Sequence, residues 1–141
     1  MKEMMHWEVC LREHIKRVEP DMDKVISMQR MCNVRLRVTK DITLDEETAS
    51  IIATDYYEVI KELLVALLLR NGLKSENHEC LIAFFKHTFP QYEYESSVIH
   101  GLKEVRNRVS YDGIFVKKDY IVANRLEFEH IIILLHGLLE S

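Results

Sequence analysis

The chain has 141 residues, of which 48% are hydrophobic and 30% charged, and its net charge is −4. These values suit one domain and exclude both a disordered chain and a strongly basic nucleic-acid-binding protein. Only four glycines and two prolines interrupt the chain, which favours helices over many short strands. Residues 1–40 carry a net charge of +3. This basic third could steer RNA or an acidic partner, although a solvated helix face is the simpler interpretation.

The N-terminal third is predicted to form two helices. Apolar residues recur every three or four positions over residues 3–18, and Pro20 ends that helix. Asp21 or Asp23 is expected to cap a second helix that continues beyond residue 36. Its tail, residues 34–38, alternates like a strand, but no neighbouring strand pattern offers a partner, so we predict helix there too.

The middle of the chain contains the clearest helical pattern. Thr43 and Glu46 have the spacing of a capping box, and a wide apolar face follows over residues 51–68. Asn71-Gly72 is a typical helix stop. Ser75 is expected to cap the next, shorter helix.

Two more helices are predicted towards the C-terminus. Pro90 precedes a helix over residues 93–111, which Asp112-Gly113 ends before an extended piece at residues 114–116. The last helix covers residues 119–140, and its broad apolar surface fits either a dimer face or a deep position in the bundle. The sequence therefore predicts a single all-α domain over residues 1–141, an antiparallel helical bundle of five to six helices.

The cysteines and histidines give little support for a metal centre or a disulfide. Cys10, Cys32 and Cys80 are odd in number and widely spaced, so reduced thiols are expected. His6, Cys10 and His14 lie at i, i+4 and i+8, but the two histidines would be about 12 Å apart along a helix axis, too far for one zinc ion.

No recognised cofactor motif is present. Phosphate-binding loops need clustered glycines, which the sequence lacks. We therefore predict no metal and no cofactor. The longest apolar run, residues 63–69, is far short of the ~20 residues that a membrane helix needs. Together with the lack of a signal-peptide pattern, it predicts a cytoplasmic protein without a membrane segment.

The segment Arg106-Asn107-Arg108 lies at the edge of an apolar helix face. An exposed helix end would explain it, but arginine in a partly dry site also suits bidentate phosphate binding. Tyr111 follows five residues after Arg106, which on an ideal helix is a turn of about 140°. The two side chains are thus expected to share a site only if the helix ends near Ser110 or if two subunits meet there.

Residues 43–140 resemble the HEPN domains (higher eukaryotes and prokaryotes nucleotide-binding), especially the small archaeal stand-alone members. The resemblance rests on Asp55-Tyr56-Tyr57-Glu58 in the long helix, on the Arg70-Asn71-Gly72 stop and on Arg106-Asn107, with residues 1–40 as an N-terminal helical extension. The family's hallmark is Arg, often followed by Asn, and then His about five residues later. In active members two such motifs meet across a homodimer and cleave RNA without metal.

The chain departs from this motif where the histidine is expected, because Tyr111 stands there. In the family, Arg holds the scissile phosphate and His performs acid–base chemistry. Histidine ionises near pH 6.5 and tyrosine near pH 10, so a phenol is a poor base at pH 7. General acid–base help is typically worth about 10²–10⁴ in rate. Some members also carry a tyrosine two residues after the histidine, which a nucleotidyltransferase modifies; Gly113 stands there.

The resemblance implies a homodimer with Arg106, Asn107 and Tyr111 as the catalytic-type residues and with Arg106, Arg108 and Asp55 as RNA- or nucleotide-binding residues. Two functions compete. The replacement by Tyr111 favours a catalytically weak or inactive protein that binds RNA, a nucleotide or a protein partner such as a minimal nucleotidyltransferase. The alternative is a metal-independent endoribonuclease acting as a toxin in a toxin–antitoxin or defence system. A structural dimerisation module without a ligand is the third hypothesis.

Overall fold

The computed structural model describes residues 4–141 and has the all-α fold that the sequence predicts. Six α-helices follow one another within this range: α1 (Trp7–Glu13), α2 (Met22–Lys40), α3 (Ala49–Arg70), α4 (His78–Thr88), α5 (Glu93–Asp112) and α6 (Lys118–Glu140). A short 3-10 helix, Pro90–Tyr92, joins α4 to α5. The strands β1 (Lys16–Arg17) and β2 (Leu73–Lys74) pair antiparallel. None of these helices is long and apolar enough to cross a membrane.

The centre of the bundle is α3, whose side chains are buried on almost every side. This explains its wide apolar face, because α2, α4, α5 and α6 all pack against it. The strand-like tail of α2 is helical, as predicted, and Thr39 there donates to Asp55 of α3. Near α6, the Tyr56 hydroxyl donates to Glu129 at 2.7 Å and accepts from Arg125 at 3.0 Å. Tyr56 is thus a packed side chain with a satisfied hydroxyl.

The predicted start of α2 is confirmed, whereas two other predicted caps are wrong. Asp21 caps α2 by accepting from the Lys24 amide at 3.0 Å. The Thr43–Glu46 capping box does not form, because the Asp45 carboxylate accepts from the amides of residues 47 and 48 instead. Asn77, not Ser75, caps α4. In both segments several capping-type side chains lie close together, so spacing alone does not select among them.

The N-terminal helix is shorter than predicted. The predicted start at residue 3 lies outside the described residues, and α1 ends at Glu13, after which residues 16–17 pair with β2. The Trp7 ring packs edge-on against Phe84 and stacks on His87, with centroids 5.6 and 5.5 Å apart. These contacts dock α1 on α4.

The expectation of three reduced thiols is also wrong. Cys10 of α1 and Cys80 of α4 form a disulfide across 70 residues of sequence, with Cα atoms 5.5 Å apart. Cys32 remains a buried free thiol, and burial raises its pKa to about 11. The pairing depends on the docking of α1, which sequence spacing does not report.

Candidate functional site

The C-terminal half of α5 brings Arg106 against two tyrosine rings. The guanidinium carbon lies 5.6 Å from the ring centroid of Tyr57 in α3 and 5.7 Å from that of Tyr111. Nη1 of Arg106 donates to Asn107 Oδ1 at 3.2 Å and to the Tyr111 hydroxyl at 3.4 Å. The sequence motif residues therefore lie together in a single subunit.

This proximity arises differently from the expectation. Helix α5 ends at Asp112, within one residue of the predicted end, and Gly113 follows in the left-handed conformation at φ +64°; Arg106 and Tyr111 therefore both lie inside the helix. The Ile114 amide closes the end by donating to the Arg108 carbonyl at 3.2 Å. The long side chains of Arg106 and Tyr111 cover the angular separation, so neither a helix break nor a second subunit is needed to join them.

Within the described residues, the contacts of the Arg106 side chain are with neutral groups, which do not compensate its charge. Within residues 4–141, Arg106 forms no salt bridge, and its Nε is buried without a hydrogen-bond partner. A half-buried cation in such surroundings keeps unused donors and an uncompensated charge. The site is therefore electrostatically suited to an anion.

A histidine that the sequence did not indicate lies behind Tyr57. His78, in the first turn of α4, has its Nδ1 3.2 Å from the Tyr57 hydroxyl. Burial raises the pKa of Tyr57, against the opposing effect of Arg106. Burial, Lys61 and Arg106 lower the pKa of His78, so the imidazole is neutral at pH 7. We call Arg106, Asn107, Tyr111, Tyr57 and His78 the Arg106 cluster.

The two other predicted binding residues lie elsewhere. Asp55 accepts from Thr39 of α2 at 3.3 Å, and burial raises the pKa of its carboxyl. Arg108 is exposed and lines a shallow groove with Phe115 and Tyr120. It points about 200° away from Arg106 around α5. The structure thus brings together Arg106, Asn107 and Tyr111 but joins neither Asp55 nor Arg108 to them.

A second polar cluster lies between α4 and α5, next to the first. One ligand-type atom from each of Glu79, His100 and Glu104 lies within 4.8 Å of the other two. The Lys103 ammonium is 3.4 Å from Glu79 Oε1 and 3.7 Å from Glu104 Oε1. We call these four residues the Glu79 cluster. By contrast, Cys10 of the stripe considered above is held in the disulfide and is not available as a thiolate ligand.

Comparisons of the chain with protein-family models, with curated protein sequences and with solved structures found no match. The HEPN resemblance accordingly stays a prediction from the motif and the helix order.

Proposed function

We propose that this chain is a HEPN-like homodimeric protein that binds RNA through the Arg106 cluster and has little or no nuclease activity. The observation that supports this best is the Arg106 guanidinium, a half-buried cation whose hydrogen bonds, among residues 4–141, go only to the neutral Asn107 and Tyr111. A phosphate would supply the compensating negative charge and accept hydrogen bonds from the remaining guanidinium N–H groups.

The neighbouring side chains suit a single-stranded nucleic acid. Tyr111 is 74% exposed, so its ring can stack on a base while Arg106 contacts the backbone. Arg108 is exposed on nearly the opposite face of α5, so only a longer strand that wraps around the helix would reach it. Asp55, turned towards α2, has no part in this proposal.

The same tyrosine argues against efficient cleavage. Transphosphorylation needs a base for the ribose 2′-hydroxyl, and a phenol is a much poorer general base than the imidazole it replaces. A protein that keeps the phosphate-binding arginine but lacks the motif histidine is expected to bind RNA without turning it over.

The proposal is tested with purified protein and labelled single-stranded RNA. Arg106→Ala should weaken binding by roughly tenfold and reduce the salt dependence by about one phosphate contact. Lys86→Ala, which removes an exposed cation from the last turn of α4, is the charge-matched control and should bind nearly as tightly as the wild type. Equal binding by Arg106→Ala and wild type would contradict the proposal and leave the structural module. A monomer by light scattering at micromolar concentration would contradict the homodimer.

The endoribonuclease alternative has one specific observation in its favour, the His78–Tyr57 pair beside Arg106. A neutral imidazole could provide the acid–base group that Tyr111 does not. RNA cleavage in EDTA that leaves 2′,3′-cyclic phosphate ends, and that disappears in both Arg106→Ala and His78→Gln, would establish this alternative over the non-enzymatic proposal.

A further inference from the structure

We propose that Glu79, His100 and Glu104 form a binding site for a divalent metal ion of the zinc class at the contact between α4 and α5. This site is separate from the Arg106 cluster, and its test does not depend on RNA binding. The proposal rests on the geometry of three ligand-type side chains and on the unsatisfied hydrogen-bonding groups among them.

The helices place the three side chains for a common ion. His100 and Glu104 are four residues apart, so they lie one turn apart on the same face of α5. His100 Nε2 and Glu104 Oε1 are 3.8 Å apart, and Glu79 completes a group within 4.8 Å. Two ligands of a tetrahedral zinc ion, each about 2.0–2.2 Å from the metal, are roughly 3.4 Å apart. Small rotations of the two flexible glutamate side chains would shorten the observed separations between ligand atoms to this value.

Two buried atoms in the cluster lack hydrogen-bond partners within the part of the chain that the structure describes, which supports the proposal independently of the spacing. His100 is 1% exposed, and within residues 4–141 neither its Nε2 nor Glu104 Oε1 has a hydrogen-bond partner. Their separation is too long for a hydrogen bond between them. Buried polar atoms without partners are costly, and a shared metal ion would satisfy both at once.

The ligand set favours a transition metal. Imidazole suits zinc and its neighbours in the first row, whereas magnesium and calcium prefer oxygen ligands alone. One imidazole and two carboxylates leave a fourth tetrahedral position for water.

Lys103 determines how the ion would bind. Its ammonium lies near both carboxylates, and its side chain is only 8% exposed. It therefore stands where a metal ion would compete for the same oxygens. The flexible four-carbon stem allows the ammonium to swing away when the ion enters, at a cost in affinity. Replacing Lys103 by an uncharged side chain of similar length should remove that competition.

The experiment measures Zn²⁺ binding by titration calorimetry after chelator treatment and dialysis, with Mg²⁺ as the comparison ion. Wild-type protein is expected to bind one Zn²⁺ and to show no measurable binding of Mg²⁺. His100→Gln should lower the Zn²⁺ affinity by about tenfold or more, since even outer-shell changes have effects of that size. Lys103→Met should raise the affinity. His130→Gln, at an exposed position of α6, is the matched control and should change neither the Zn²⁺ affinity nor the lack of Mg²⁺ binding.

Thermal unfolding distinguishes a lost site from a lost fold. Zn²⁺ should raise the melting temperature of wild type and Lys103→Met but not of His100→Gln, whose circular dichroism should match wild type. No Zn²⁺ binding by folded wild type, or equal affinity in His100→Gln, would overturn the proposal. Weaker binding by folded Lys103→Met would also overturn it, because Lys103 would then be a structural cation and not a competitor.

Discussion

The disulfide between Cys10 and Cys80 should contribute a large part of the stability of this protein. It closes a loop across 70 residues and ties α1, a helix of seven residues, to the first turn of α4. An isolated helix of that length is not stable in water, so α1 depends on its docking. The perturbation is the double variant Cys10→Ser/Cys80→Ser.

The size of the effect follows from the loop length. Constraining a loop of 70 residues lowers the entropy of the unfolded chain by an amount worth about 4 kcal/mol at 25 °C in the chain-entropy model. For a protein of this size, each kcal/mol shifts the melting temperature by roughly 2–4 °C, so the double variant should melt about 10–15 °C lower. The contacts of Trp7 with Phe84 and His87 do not involve either cysteine, so the variant should retain them and its native packing should change little.

The assay is guanidinium denaturation of the oxidised wild type, the reduced wild type and the double variant. The reduced wild type and the double variant should have the same unfolding free energy, and it should be about 4 kcal/mol lower than that of the oxidised wild type. Alkylation of denatured, unreduced wild type should modify Cys32 alone. Modification of all three cysteines would refute the reasoning. So would a difference in unfolding free energy between oxidised wild type and the double variant of under about 1 kcal/mol, because the loop-entropy model predicts about 4 kcal/mol. Disulfides persist mainly in oxidising compartments, so three free thiols would also favour the predicted cytoplasmic location.

Three further predictions concern single positions. Gly72→Ala should destabilise the protein by about 1–3 kcal/mol, because Gly72 has φ +73° and a Cβ would lie 3.1 Å from the Val18 carbonyl oxygen. Gly101→Ala inside α5 should instead stabilise the protein by about 0.5–1 kcal/mol, and thermal unfolding compares the two variants. Tyr56→Phe should cost about 1–3 kcal/mol in denaturant, because it removes two hydrogen bonds next to α6. Burial lowers the pKa of His136, so stability should fall as pH drops below about 6.5, and His136→Gln should weaken this acid dependence in unfolding at pH 7.5 and 5.5.

The sequence predicts the helices well because their signal is repetitive. Long amphipathic segments such as α3 contain many apolar positions, so errors at a few of them do not matter. Helix ends depend instead on one or two side chains, which is why Asn77 replaces the expected cap of α4 and why Asp45 binds backbone amides in the turn before α3. The disulfide depends on a contact between distant segments, and no local pattern reports it.

The candidate site was predictable only in its local part. Arg106, Asn107 and Tyr111 are neighbours in sequence, and a motif can therefore identify them. Tyr57 and His78 reach Arg106 through the packing of α3 and α4, which the sequence does not encode locally. Asp55 is two residues from Tyr57 and so points about 200° away, towards α2.

The first turn of α4 connects the features described above. Successive residues of a helix point about 100° apart. His78 accordingly contacts Tyr57 of α3, Glu79 faces Lys103 of α5, and Cys80 is bonded to Cys10 of α1. Three consecutive residues thus join α4 to three other helices. Any change that moves this turn must alter the Arg106 cluster, the Glu79 cluster and the docking of α1 together, even though each has its own chemistry.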